Sequence, residues 1–204
     1  MTATIGAVLA MLLVLPMPTE AQRREPAPLR RTGEGFVFVD DAGPRVGKGR
    51  LRTYRLEVEP RTGVDPRVFT AIAERILNDE RGWTGVDRLS LRRVRRRADI
   101  RVVLATPKTV DRLCARAGLR TVGKLSCWNG RFAALNIKRW RRGSDGFRGS
   151  LRTYRRYLLN HEVGHGLGQR HRTCPRRGAR APVMQQQTFA TRPCRANGWP
   201  TLDP

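Results

Sequence analysis

The chain has 204 residues and a formal net charge of +24, which comes from 41 basic and 17 acidic residues. This length suits one domain with a substantial hydrophobic core, and the charge favours anionic partners such as acidic peptides, cell-wall polymers or lipid headgroups. The basic residues are not interleaved with an aromatic platform and match no recognised nucleic-acid-binding motif, which argues against specific nucleic-acid recognition.

Residues 1–21 contain an uninterrupted apolar run at 5–15, followed by small and polar residues with a candidate cleavage site at 19–21. This pattern predicts a signal peptide, or an N-terminal membrane anchor if the segment stays uncleaved. We therefore expect a secreted protein, or one held at the extracellular face of the cell envelope. Residues 22–48 are rich in Pro, Gly and Arg, with a short apolar island at 36–39. They are predicted to form a linker in which this island can form one strand-like piece.

The remaining residues, 49–204, are predicted to form one domain that begins with a strand at 51–59. Asp65 and Pro66 then predict the N-cap and first position of a helix. That helix has one apolar stripe, formed by Phe69, Ile72, Ala73, Ile76 and Leu77. Downstream patterns predict strands near 89–91 and 100–104, a short helix at 109–117 and a strand at 132–137.

A last helix is predicted from Ser150, a suitable N-cap residue, to about Leu167. The chain beyond Gly168 has no regular pattern. The element order is therefore β-α-β-β-α-β-α followed by coil. It predicts an α+β fold with a mixed twisted sheet, a backing helix, an active-site helix and an irregular C-terminal subdomain.

The three histidines of the chain are His161, His165 and His171, and all lie within eleven residues. His161 and His165 are four residues apart, so a helix places both imidazoles on one face. Gly168 tolerates the positive φ that ends a helix sharply, which would bring His171 back to the other two. Three protein ligands with a fourth position open to water predict a single catalytic zinc ion, and Glu162 is placed to act as the general base on that water.

The spacing His-Glu-x-x-His-x-x-Gly-x-x-His resembles the signature of the metzincin zinc proteases. The resemblance implies a metzincin-like zincin domain, with a methionine in a tight turn beneath the metal. Met184, in the segment 181–188, is the candidate for that turn. By the same analogy, the strand at 132–137 is expected at the sheet edge, where it would pair with an extended substrate.

Three segments, 154–161, 181–188 and 197–200, together resemble a family of uncharacterised secreted actinobacterial proteins with a domain of unknown function. The resemblance covers about residues 50–204. It implies the same fold and metal site and brings no substrate with it.

The chain has four cysteines, Cys114, Cys127, Cys174 and Cys194, and none forms a C-x-x-C pair. In an exported protein, an even number of cysteines predicts two disulfides rather than a second zinc site. Three connectivities are open. We favour 114–127 with 174–194, because each pairing closes a short loop.

Two functions follow from these features. The first is a secreted zinc endopeptidase, with Glu162 as general base and a protein or acidic peptide as substrate. The second is a non-catalytic, zinc-stabilised module that binds an anionic cell wall or membrane surface. In either case we expect a monomer.

Overall fold

The computed structural model describes residues 25–86 and 88–203. The leader expected at 1–21 lies outside these residues. Within them are eight β-strands: β1 Leu29–Arg31, β2 Val37–Val39, β3 Arg45–Gly47, β4 Arg50–Val58, β5 Leu89–Arg93, β6 Ile100–Ala105, β7 Cys127–Trp128 and β8 Phe132–Asn136. The same residues form four α-helices: α1 Pro66–Leu77, α2 Pro107–Ala115, α3 Ile137–Arg142 and α4 Leu151–Gly166.

The strands form one mixed sheet in the order β1-β2-β4-β6-β8-β7, with β5 beside the first half of β4 and β3 beyond β5. The central pairs β4–β6 and β6–β8 are parallel, whereas β1–β2, β2–β4 and β7–β8 are antiparallel. The predicted α+β class with a mixed sheet is confirmed.

Strand β6 is buried along its whole length because both faces of the sheet are covered. Val102 and Leu104 point toward the larger core, which is shared with α1 and α4. Val103 and Ala105 point to a smaller core on the other face, shared with α2. Side chains alternate across a strand, so this burial pattern requires helices on both sides of the sheet.

Residues 29–47 differ from the expected linker, because they contribute three short strands to the sheet. Phe36 is 2% exposed and packs edge-on against Phe132 of β8, with 6.1 Å between the ring centroids. Glu34 accepts hydrogen bonds from Arg101 of β6. Strand β2 lies in the apolar island at 36–39, where the sequence allows one strand-like piece. Strands β1 and β3 are too short to show an alternating pattern, and these contacts join residues far apart in sequence.

Two helices begin where the sequence predicts. The Asp65 side chain accepts a hydrogen bond from the Arg67 N–H at 2.7 Å, and the Ser150 hydroxyl accepts one from the Thr153 N–H at 3.1 Å. These bonds satisfy N–H groups that a helix N-terminus leaves free. Helix α3 was not predicted. It starts where the expected strand at 132–137 ends, with Asn136 as its N-cap.

The strand predicted at the sheet edge is not at the edge. Strand β8 lies between β6 and β7, and the edge strand is β7. The reason is a tight hairpin between β7 and β8. In its turn, the Asn129 side chain accepts hydrogen bonds from the backbone N–H groups of Arg131 and Phe132. Gly130 has a φ of +90°. Asn-Gly favours such a turn, and the turn folds β7 back outside β8.

Candidate metal centre

Helix α4 carries His161 and His165 on one face, with 4.8 Å between their ring centroids. The helix ends in a hydrogen-bonded turn in which the Gln169 N–H donates to the Gly164 carbonyl and the Gly168 N–H to the His165 carbonyl. This is the Schellman arrangement, which needs a residue at positive φ, and Gly168 has a φ of +93°. The turn reverses the chain and brings His171 back toward the helix.

The three imidazoles converge as the sequence predicts. One ring nitrogen from each of His161, His165 and His171 lies within 4.8 Å of the others. The Nε2 atoms of His165 and His171 are 3.1 Å apart. The structure therefore brings together all three predicted ligands in a space the size of one ion.

In His161 and His165, the hydrogen bond of the ring engages Nδ1 and leaves the Nε2 lone pair for a metal ion. The Nδ1–H of His161 donates to the Val183 carbonyl at 2.9 Å, and the Nδ1–H of His165 donates to the Gln169 carbonyl at 3.0 Å. A carbonyl can only accept, so each Nε2 carries a lone pair. Partners of this kind orient metal-binding histidines in general.

Burial favours the neutral imidazoles that a metal requires. It lowers the pKa of His161 to about 3, and it lowers the pKa of His165 and of His171 below the ordinary value. An imidazole-only donor set suits a borderline ion such as zinc better than the hard cations calcium and magnesium. The residues present therefore fit a zinc ion.

Glu162 lies next to the first of these histidines and is 5% exposed. Without a cation, burial raises the pKa of its carboxyl to about 8. A dication beside it would favour the carboxylate form. Burial and a bound dication thus act on the pKa of Glu162 in opposite directions.

Met184 lies beneath the helix that carries the site. It is 1% exposed, and its Sδ lies only 2.6 Å from the position that a Cβ on Gly164 would occupy. The backbone around Met184 also contacts the site, since the Val183 carbonyl accepts from His161 and the Met184 carbonyl accepts from the Arg172 N–H at 3.1 Å. The turn that contains Met184 therefore supports His161 and the segment after His171.

Helix α4 packs so closely on Met184 at Gly164 that we expect Gly164→Ala to destabilise the protein. The added methyl would lie 2.6 Å from Met184 Sδ and also 2.6 Å from Cζ2 of the Trp83 ring. Overpacking of this kind costs about 1–3 kcal/mol of unfolding free energy, measurable by chemical denaturation. Gly33→Ala is the control, because a Cβ there lies more than 4 Å from every atom of the residues that the structure describes. Equal stability of the two variants would contradict the packing described.

Both disulfides occur in the favoured pairing. Cys114 on α2 is joined to Cys127 on β7, and Cys174 is joined to Cys194. The second disulfide encloses the segment that contains Met184. No free cysteine occurs among the described residues.

Two buried side-chain amides hold the segment around Met184 in place. The sequence did not predict this role for either of them. Gln187 donates to the carbonyls of Pro182 and Asn197, and the Asn197 N–H donates back to the Gln187 Oε1 at 3.0 Å. The Asn197 amide also donates to Asp203, whose carboxylate accepts from the Val183 N–H at 2.7 Å. A coil of this length needs such side-chain bonds, because it has almost no backbone ladder.

The histidines and Glu162 line a cleft of about 400 Å³. Its walls come from residues near β7 and from the segment after Met184. The lining residues that the sequence analysis did not identify include Leu119, Arg120, Trp128, Tyr157 and Phe189. Of these, only Tyr157 had a signal, because it lies four residues before His161 on the same helix face.

A family model described as "Protein of unknown function (DUF3152)" matches residues 25–200 of the chain. The matched range contains the three histidines, Glu162, Met184 and the four cysteines, and also the strands at 29–47. Separate searches of curated proteins and of solved structures gave no significant match.

Proposed function

The chain belongs to the DUF3152 family, whose function is unknown, and we propose from the site itself that the protein is a zinc-dependent endopeptidase. One observation carries the proposal: three imidazole nitrogens converge within 4.8 Å in the lining of a cleft, beside a buried glutamate. The metzincin-like spacing of these residues supports the same reading.

The proposed chemistry divides between the histidines and Glu162. The Nε2 atoms of His161, His165 and His171 would hold the zinc ion. When bound, zinc lowers the pKa of a water molecule and polarises a carbonyl oxygen. The Glu162 carboxylate takes the proton from the attacking water and returns it to the leaving amine nitrogen as the C–N bond breaks.

The cleft suits an extended polypeptide. Strand β7 pairs with β8 on one side only, so its outer backbone edge is free of strand partners among the described residues. Trp128 of that strand lines the cleft. A substrate strand could add to this edge, which would place its backbone along the cleft that holds the histidines.

We also propose that the protein is exported. Two disulfides are expected of proteins that fold in an oxidising compartment, and the apolar run at 5–15 is typical of a signal peptide or anchor. Across residues 25–86 and 88–203, no helix has the length and apolar character needed to cross a membrane.

The alternative, a zinc-stabilised module that binds an anionic surface, is favoured by the net charge of +24. The ligand set argues against it. Structural zinc sites have four protein ligands, whereas three candidate ligands converge among the described residues. A buried glutamate next to the ligands also has no role in a purely structural site.

The test is cleavage of a peptide library by the full chain loaded with zinc, with the fragments identified by mass spectrometry. We expect cuts that disappear when a chelator strips the metal and return when zinc is added back. Cleavage that survives chelation would contradict a metal-dependent mechanism. A zinc-loaded protein that cuts no member of the library would favour the binding module.

A further inference from the structure

The half of the chain that builds the cleft is almost free of acidic residues. Residues 112–203 contain 20 Lys and Arg residues and only three acidic ones, Asp145, Glu162 and Asp203. Glu162 belongs to the candidate metal centre, and Asp203 accepts hydrogen bonds beneath it. A negatively charged ligand that approaches this half therefore meets many positive charges and few negative charges that would repel it.

One basic residue lies inside the cleft. Arg120 lines it together with the three histidines, and among the described residues Glu162 is the only acidic one in the same lining. Arg120 is exposed and has no ion pair or side-chain hydrogen bond with any residue that the structure describes. Its guanidinium is thus available to a carboxylate, which it can bind through two parallel hydrogen bonds.

The loop that carries Arg120 is held rigidly. We call residues 119–125 the rim loop. Asp111 of α2 accepts hydrogen bonds from the Thr121 hydroxyl and from the Gly123 N–H, so it joins the two sides of Val122. The Cys114–Cys127 disulfide closes the chain on both sides of the loop.

Backbone strain in the rim loop points to a functional use. Val122 has a φ of +45°, which is rare for a β-branched residue, and it is 62% exposed. Strained residues of this kind persist where surrounding bonds fix them and cluster at binding sites. A fixed loop loses little conformational entropy when it binds a ligand.

We infer that Arg120 is a specificity-determining residue that selects substrates with an acidic side chain close to the scissile bond. The inference rests on the proposed peptidase function and names its substrate class. The ligand is a carboxylate of the substrate polypeptide, held by the guanidinium at the cleft wall while the backbone lies along the edge of β7.

Two matched peptide pools test this inference. The pools are identical except that every Asp and Glu of the first is Asn or Gln in the second. We expect the zinc-loaded parent to cleave the acidic pool roughly fivefold faster, the upper range for one exposed ion pair. In Arg120→Gln the ratio should fall by most of this factor, and only the weaker preference that comes from the general positive charge should remain. Arg116→Gln, which removes an exposed charge outside the cleft lining, should keep the parent's ratio.

Binding of the same pools separates this inference from the peptidase proposal. Fluorescence anisotropy on the full chain should show tighter binding of acidic peptides by the parent and by Arg116→Gln, with a clearly smaller preference in Arg120→Gln. That result would support the role of Arg120 even if no peptide were cleaved. Equal affinity of the parent for both pools, or an unchanged preference in Arg120→Gln, would overturn it.

Discussion

Glu162→Gln should lower peptide cleavage by about 10²–10⁴-fold, the usual contribution of a general acid–base group. The amide has nearly the shape of the carboxyl but takes up no proton from water. The residue is not one of the three converging ligands, so the variant should bind zinc as the parent does. The measurement pairs cleavage of one library peptide with zinc content of the same preparation.

Glu80→Gln is the control for this experiment, because it makes the same chemical change at an exposed position. It should cleave at the parent's rate. Full activity in Glu162→Gln would remove the glutamate from the mechanism. Loss of zinc together with activity would instead assign Glu162 a role in holding the metal.

Removal of the Cys174–Cys194 disulfide should cost stability and zinc affinity together. The two cysteines are 20 residues apart, and closing a loop of this size contributes about 3 kcal/mol to the free energy of unfolding. The loop contains Met184 and Val183, whose carbonyl orients His161. A Cys174→Ser, Cys194→Ser double variant should therefore unfold at lower denaturant concentration and bind zinc more weakly.

The other disulfide provides a matched comparison, since Cys114 and Cys127 are 13 residues apart. Its double serine variant should lose a similar amount of stability but keep the zinc affinity of the parent, because its loop contains no residue that hydrogen-bonds a histidine ring. If both variants lose zinc affinity equally, the support of the site by the 174–194 loop would be disproved.

Local signals allowed much of the site to be predicted from the sequence. The prediction that His161 and His165 share one face depends only on helix periodicity. The prediction for Gly168 depends only on the positive φ that a sharp helix end requires. The segment 51–55 shows the limit of such reasoning, since its sequence, Leu-Arg-Thr-Tyr-Arg, recurs at 151–155. The first copy is strand and the second is helix, so packing and capping decide the conformation.

Features that depend on distant contacts were not predicted. Strands β1 and β3 are too short to show a pattern, and they form because they pair with β2 and with β5. Arg120 and Phe189, which are far apart in the sequence, line the same cleft. Neither residue belongs to a motif, and no local rule brings them together.

The measurement that tests the proposed metal centre most directly is zinc binding by the purified full chain. Native mass spectrometry and titration against a zinc chelator would give the stoichiometry and the affinity. We predict one zinc ion per chain, and none in a variant in which His161, His165 and His171 are all replaced by Asn. A parent chain that binds no zinc, or a triple variant that binds it as tightly as the parent, would contradict the proposed metal centre.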